Sequence, residues 1–293
     1  MEVLVMILKE NYILSNGIEI PKLGLGTWEI SDKDVTQAIK EAVRIGYRHI
    51  DTAQGYQNES GVGNGIRSCD LKREEIFVTT KLDAGVKSYK DAVAYVDQSL
   101  KTLRLEYIDL MLIHSPKPWT KFHQSDPYFE GNRETWTALE EAYKAGKLRA
   151  IGISNFKEAD IDNILESCTV KPMVNQILAH ISNTPKELIA YTKDKGILVE
   201  AYSPIGHGEL LKNKQVASVA EKYNVSVAQL SIRYCLQLSM LPLPKTSNPQ
   251  HMKANADVDF VINHADMELL KNVKQIEDYG VFSKFPVFGG KLE

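Results

Sequence analysis

The chain reads as an α/β protein built as a (β/α)8 barrel, the TIM-barrel architecture, and three observations predict it. Eight short apolar runs of strand length recur along its 293 residues. Stretches of helical period separate them. The polar residues able to do chemistry fall at the C-terminal ends of those runs, the one face where a barrel of this kind gathers its active site.

The runs span residues 23–28, 49–53, 76–81, 108–114, 150–155, 173–177, 197–203 and 241–244. Ahead of the first, residues 11–20 carry Ser15, Asn16 and Gly17 at their middle. That reads as a β-hairpin through an Asn-Gly turn, placed to cap the barrel bottom. After the first run, the box Ser31-Asp32-Lys33-Asp34 opens a helical pattern with Val35, Ile39, Ala42 and Val43 on one face. Gly46, Gly146 and Gly196 stand where helices must stop, in the left-handed cap position that glycine occupies cheaply. Alternating strands and helices imply parallel pairing through right-handed crossovers. Eight such units in just under 300 residues match a closed barrel in size. The rival is an open doubly wound sheet, which announces itself with GxGxxG after its first strand. Here the first run gives Gly24, Gly26 and then Glu29 where the third glycine belongs, and GVGNG at 61–65 misses the spacing. No Pro- or Ser-rich linker divides the chain, so residues 1–293 are expected to form one domain.

Composition narrows the partners. A net charge of -3 without a long Lys/Arg run argues against nucleic acid or an anionic membrane as the main partner. Cys69, Cys168 and Cys235 are widely spaced, with no CxxC, which suits a reducing cytoplasm and buried small apolar side chains. The apolar start MEVLVMIL ends at Lys9 and Glu10, too early for a signal peptide or a membrane span. It reads as an extension upstream of Met6. None of the seven histidines has metal-site spacing; His49 reads as an inward polar core residue, and no metal is expected.

The chemistry lies between and beyond these elements. Asp51 belongs to the second run, and Tyr56 follows five residues later in the loop. Lys81 ends the third run and His114 the fourth; Ser154 and Asn155 end the fifth. Gln176 lies on the sixth, Tyr202 and Ser203 end the seventh, and Lys245 follows the eighth. A phenol is a usable acid at neutral pH only if something lowers its pKa from about 10. A nearby ammonium can do so, and a carboxylate can hold that ammonium in place. Asp51, Tyr56, Lys81 and His114 together would make a site that protonates a carbonyl oxygen.

Three long motifs then carry a family resemblance. GYRHIDTAQGYQNESGVG, IDLMLIHSP and LPKTSNPQHMKANADV occur in that order, and the chain resembles the aldo-keto reductases from the hairpin to about residue 280. It looks most like bacterial-type members such as diketogluconate and methylglyoxal reductases. The resemblance implies NADPH-dependent reduction of an aldehyde or ketone to an alcohol. It makes Tyr56 the general acid, Lys81 and Asp51 its activators, and His114 the residue that orients the carbonyl. It assigns Ser154, Asn155 and Gln176 to the nicotinamide carboxamide, Tyr202 to stacking on the ring, and Thr27 to its vicinity. Ser203, Pro204, Ile205 and Gly206 would follow the pyrophosphate. Lys245, Thr246, Ser247 and Asn248 would surround the 2′-phosphate, with Asn255 near the adenine. A monomeric, cytoplasmic enzyme acting on a small carbonyl compound is the implied setting.

The sequence also departs from the pattern. His251 stands where the family usually has an arginine, and it lacks the guanidinium's bidentate fork, so NADH is left open as a second cofactor. Ala254 replaces a common acidic residue, and Ser115 replaces a pocket tryptophan after His114. The short segment 207–213 and the brief tail after Tyr279 imply a shallow, open pocket, walled by Trp28, Trp119 and Phe122. Two rival functions remain compatible with these residues: a Schiff-base aldolase using Lys81, and a cofactor-binding regulatory barrel with little turnover.

Overall fold

Among residues 6–292, which the computed structural model describes, strands and helices alternate as expected. The expected extension upstream of Met6 lies outside the described residues. A hairpin of β1 (Asn11–Ile13) and β2 (Glu19–Pro21) leads into β3 (Leu25–Gly26), α1 (Asp32–Ile45), β4 (His49–Asp51) and α2 (Glu59–Arg67). Then come β5 (Phe77–Leu82), α3 (Tyr89–Leu103), β6 (Ile108–Ile113), α4 (Phe129–Lys144), β7 (Leu148–Ser154) and α5 (Glu158–Leu165). The last third holds β8 (Val174–Leu178), α6 (Lys186–Asp194), β9 (Leu198–Tyr202), α7 (Lys214–Lys222) and α8 (Val227–Gln237). It ends with β10 (Leu241–Leu243), α9 (Pro249–Ala256) and α10 (His264–Lys271).

Strands β3 to β10 pair in parallel, in sequence order, as one eight-stranded sheet. A bridge between Gly26 and Lys245 joins its edges, supported by the Gly26 N–H donating to Pro244 O at 3.1 Å. Strands β5 and β6 are buried at every position, as expected of strands covered on both faces. Gly24 shows why the first run carries a glycine there. A Cβ on it would lie 2.5 Å from Leu243 Cδ2 and 2.7 Å from His49 Nδ1, so barrel closure, not a phosphate loop, demands it. The GVGNG stretch lies in α2, where a Cβ at Gly61 or Gly63 would meet the carbonyl oxygens of Asp32 or Leu103 at 2.1 and 2.0 Å. Those glycines let α2 pack tightly between α1 and α3.

Local signals hold at the helix ends. Ser31 caps α1 by accepting from the Asp34 N–H, and Gly46, Gly146 and Gly196 all have positive φ (122, 76 and 77°). The hairpin forms, but through a three-residue loop. Both the Gly17 N–H to Leu14 O bond and the Leu14 N–H to Ile18 O bond close it at 2.8 Å, and only Gly17 has positive φ. Tyr12 donates to Met240 O and Asn16 to Arg149 O, both at the N-terminal ends of barrel strands, so the hairpin covers the bottom. Asp109 is buried at that end, paired with Arg73 and Arg149 at 2.6 Å each. Cys235 is buried, whereas Cys69 and Cys168 are only half-buried at helix edges. Among the described residues no helix is long and apolar enough to cross a membrane, and no group of three or more metal-ligating side chains is gathered.

Candidate active site

The parallel register brings Asp51 beside Thr79, so Lys81 stands two residues farther up β5, at the mouth. Its ammonium spends all three hydrogens there. It donates to Asp51 Oδ1 at 2.7 Å, to Thr52 O at 2.8 Å and to the Tyr56 hydroxyl at 3.3 Å. The Lys81 and Asp51 side chains are 0% and 5% exposed, so this ion pair is sheltered from screening. Tyr56 sits in a single 3-10 turn, Gln54–Tyr56, anchored by the Gln54 amide. That amide donates to Tyr95 O and Ser99 Oγ and accepts from the Asp83 N–H. Asn58 donates to Thr27 O and Ile30 O, fastening the loop after β4 to the loop after β3. The Thr27 hydroxyl, in turn, donates to Asp51 O.

Burial raises the Tyr56 phenol above its usual value of 10.0; the Lys81 charge opposes this, and Asp51 reinforces it. The net direction is upward, opposite to the depression expected from the sequence, because desolvation outweighs the single ammonium. Burial disfavours the Lys81 ammonium too, yet Asp51 and Tyr56 more than offset it, and its pKa is raised. His114 lies edge-on to Tyr56, ring centroids 5.8 Å apart. Burial, with the charges of Lys81 and Lys87, holds it well below 6.5, so it is a neutral imidazole. Trp119 stands edge-on to it at 5.3 Å, with Phe122 next to Trp119 at 5.8 Å. His49 is buried in the barrel wall against Thr79, and burial pushes it down to about 3.

The other strand ends form a network around this centre. Ser154 donates to Gln176 O, Asn155 donates to His114 O and Ser154 Oγ, and Tyr202 donates to Asn155 Oδ1 at 2.7 Å. Asn155 and Ser203 hold left-handed backbone, with φ of 62 and 51°. Gly206 shares it, and Ser203 Oγ meets His207 Nε2 at 3.0 Å. Pro204 is buried and Ile205 half-buried between them. Beyond β10, Lys245, Ser247, Asn248 and His251 are exposed, while Thr246 and Asn255 are buried. Asn248 caps α9 by accepting from the Gln250 N–H, and its own N–H donates to Thr246 Oγ1. Among the described residues Lys245 enters no ion pair. The predicted residues thus fall into two groups: one in the mouth, the other on the rim by α9.

Two features escaped the sequence reading. The tail does not leave the pocket open: Phe282, Phe285 and Phe288 pack around Trp28 at 5.5, 5.2 and 6.4 Å, and His207 stacks on Phe282 at 4.1 Å. The Phe spacing in 280–288 was a signal for this, though not for which residue it meets. Glu200, inside β9, is fully buried and bonded to Gln176, and a carboxylate in an apolar strand was the signal passed over.

The model of the aldo/keto reductase family matches residues 22–275. The chain belongs to the aldo/keto reductase family. It is 40% identical over 275 residues to a glyoxal reductase of Bacillus subtilis (strain 168), covering 93% of this chain and 96% of that one. It is 37% identical over 284 residues to an aldehyde reductase of Saccharomyces cerevisiae, covering 90% of each. Among solved structures, an aldo-keto reductase of Bombyx mori in complex with NADP aligns with a TM-score of 0.83 at 33% identity, over 94% of this chain and 96% of that one. As a member, this aldo/keto reductase is an oxidoreductase, and the family's typical cofactor is NADP(H).

Proposed function

We propose that this aldo/keto reductase uses NADPH to reduce a small aldehyde or ketone to its alcohol, with Tyr56 as the proton donor. The observation that carries the reading is the buried Lys81 ammonium, bonded at once to Asp51, Thr52 O and the Tyr56 hydroxyl beside a neutral His114. The donor sets suit the cofactor. Ser154, Asn155 and Gln176 are uncharged hydrogen-bonding groups in a buried mouth, chemistry that fits a carboxamide. Lys245, unpaired among the described residues, stands with the Thr246 and Ser247 hydroxyls before the N-terminus of α9, which fits a phosphate. Ser203, Pro204, Ile205 and Gly206 would line the path between the two, with Tyr202 and Thr27 at the ring and Asn255 at the base. When bound, NADPH supplies a hydride from its nicotinamide.

The protein's own part is the proton. A raised phenol pKa keeps Tyr56 protonated at neutral pH, ready to donate. As the proton leaves, Lys81 stabilises the phenolate, and Asp51 keeps Lys81 charged and fixed. Neutral His114 hydrogen-bonds and orients the carbonyl oxygen. Trp28 and Trp119 wall the substrate side. Lys81 is a poor Schiff-base nucleophile, because its partners hold it as an ammonium. The test is NADPH oxidation with a panel of aldehydes and ketones, wild type against Tyr56→Phe. Turnover should fall at least about 10²-fold with NADPH affinity nearly intact. Near-normal turnover in that variant, or a borohydride-stable adduct on Lys81 in the wild type, would sink the reading.

A further inference from the structure

Gln176 carries two amide hydrogens, and both point inward. Its Nε2 donates to Asp51 Oδ2 at 2.8 Å and to Glu200 Oε2 at 2.7 Å. With both hydrogens taken by acids, the amide has one orientation, its Oε1 turned away from them. Glu200 is 0% exposed, and its second oxygen, Oε1, is buried without a hydrogen-bond partner among the described residues. A bare ionised oxygen in that position would be costly, a neutral carboxyl much less so. The charges around it are few. Asp51 comes from β4 and Lys81 from β5, with the Tyr56 phenol bonded to Lys81. Strands β3, β8 and β10 hold no titratable residue, and Asp109 and Arg149 are paired to each other at the opposite end.

We propose that Glu200 is a positioning residue, held as a neutral carboxyl, which fixes the Gln176 amide and keeps a second negative charge away from Asp51, Lys81 and Tyr56. The Gln176 part rests on the reductase reading, in which Oε1 would accept from the cofactor's carboxamide. Burial first, and the nearby Asp51 second, raise the Glu200 carboxyl from 4.5 to about 8. Ionising it would place two carboxylates on one amide and one ammonium, and would oppose an anionic cofactor.

The experiment compares wild type with Glu200→Gln, which keeps a neutral acceptor of the same shape, and with Glu200→Leu, which has none. The folded state holds a proton that the unfolded chain loses near 4.5. This contribution to stability is therefore full below that pH and is lost as the pH rises through about 8. Thermal unfolding of the cofactor-free proteins should show the wild type losing stability relative to Glu200→Gln as the pH rises from about 5 to 8, a comparison in which the opposite contributions of the buried histidines and of Lys87, lowered to about 7, cancel. NADPH affinity, by fluorescence titration, should weaken several-fold from about pH 7 to 9 in the wild type and stay within about twofold in Glu200→Gln. Glu200→Leu should loosen NADPH by about 3- to 10-fold at pH 7, one hydrogen bond's worth. If Glu200→Leu does not fold, Glu200→Gln decides alone. A stability difference between wild type and Glu200→Gln that stays constant with pH overturns the neutral carboxyl, and NADPH affinities that match the wild type at every pH overturn the positioning role. A wild type that binds no NADPH sinks the reductase reading and the Gln176 part with it, while the cofactor-free profile still decides the charge state.

Discussion

Replacing Lys81 with Met keeps the stem and deletes the charge, which isolates what the buried ion pair contributes. Asp51 then keeps only the Gln176 donor on its side chain, 5% exposed and deprived of a contact at 2.7 Å. Removing one partner of such a pair costs about 3–5 kcal/mol, because the other charge is left buried and uncompensated. For a chain this long, about 2 °C per kcal/mol translates that into a melting point lower by about 6–10 °C. Asp51→Asn should destabilise for the mirror-image reason, leaving Lys81 buried without its anion. The double variant, Asp51→Asn with Lys81→Met, leaves no buried charge at that place. Its loss should fall short of the two single losses added together by about 2–3 kcal/mol. Urea unfolding of the cofactor-free proteins measures this cycle, and carbonyl reduction should be down at least about 10²-fold in all three. Simple additivity of the stabilities would refute the reasoning, since it would mean that the two groups do not share one buried interaction.

Three more outcomes are expected. His251→Arg should tighten NADPH and leave NADH almost unchanged in fluorescence titrations, since a guanidinium reads a phosphate bidentately and an imidazole does not; equal effects on both cofactors would show that position 251 does not face the phosphate. Burial pushes His49 to about 3 and His180 and His207 to about 4, with His114 also well below 6.5. The unfolded chain therefore binds more protons as the pH falls below about 6.5, so the histidines' contribution to stability is full above that value and should be lost toward pH 4, with Glu200 partly offsetting it; a flat urea midpoint from pH 7 to 5 would contradict this. Truncation after Tyr279 removes the three phenylalanines packed on Trp28. Acrylamide quenching of tryptophan fluorescence should then rise, and no change would mean that the tail does not cover Trp28.

The fold was legible because its signals are local. Apolar runs of strand length, the Ser31 cap and the glycine stops at 46, 146 and 196 each depend on a few neighbouring residues, and the structure repeats them nearly in place. Once the strands are parallel and in order, every C-terminal end faces one mouth, so Asp51, Lys81 and His114 come together by topology, with Tyr56 in the loop beside them. The glycines of GLG and GVGNG were legible as glycines but not for their cause, which is the closeness of Leu243, Asp32 and Leu103.

By itself, then, the sequence determined the alternation of elements, the hairpin at the bottom and the four polar residues at one end, since periodicity, caps and turn chemistry act over a few residues. Tertiary structure alone decided the rest. Gln176 meets Asp51 across 125 positions of chain, and Glu200 becomes a partner only because β8 lies against β9. Phe282, Phe285 and Phe288 meet Trp28 although at least 254 positions of chain (282 − 28) separate them. The direction in which Tyr56 titrates turned on how much water its neighbours exclude, against one ammonium at 3.3 Å. Burial and charge pairing are sums over contacts distant in the chain, and no local pattern of residues encodes them.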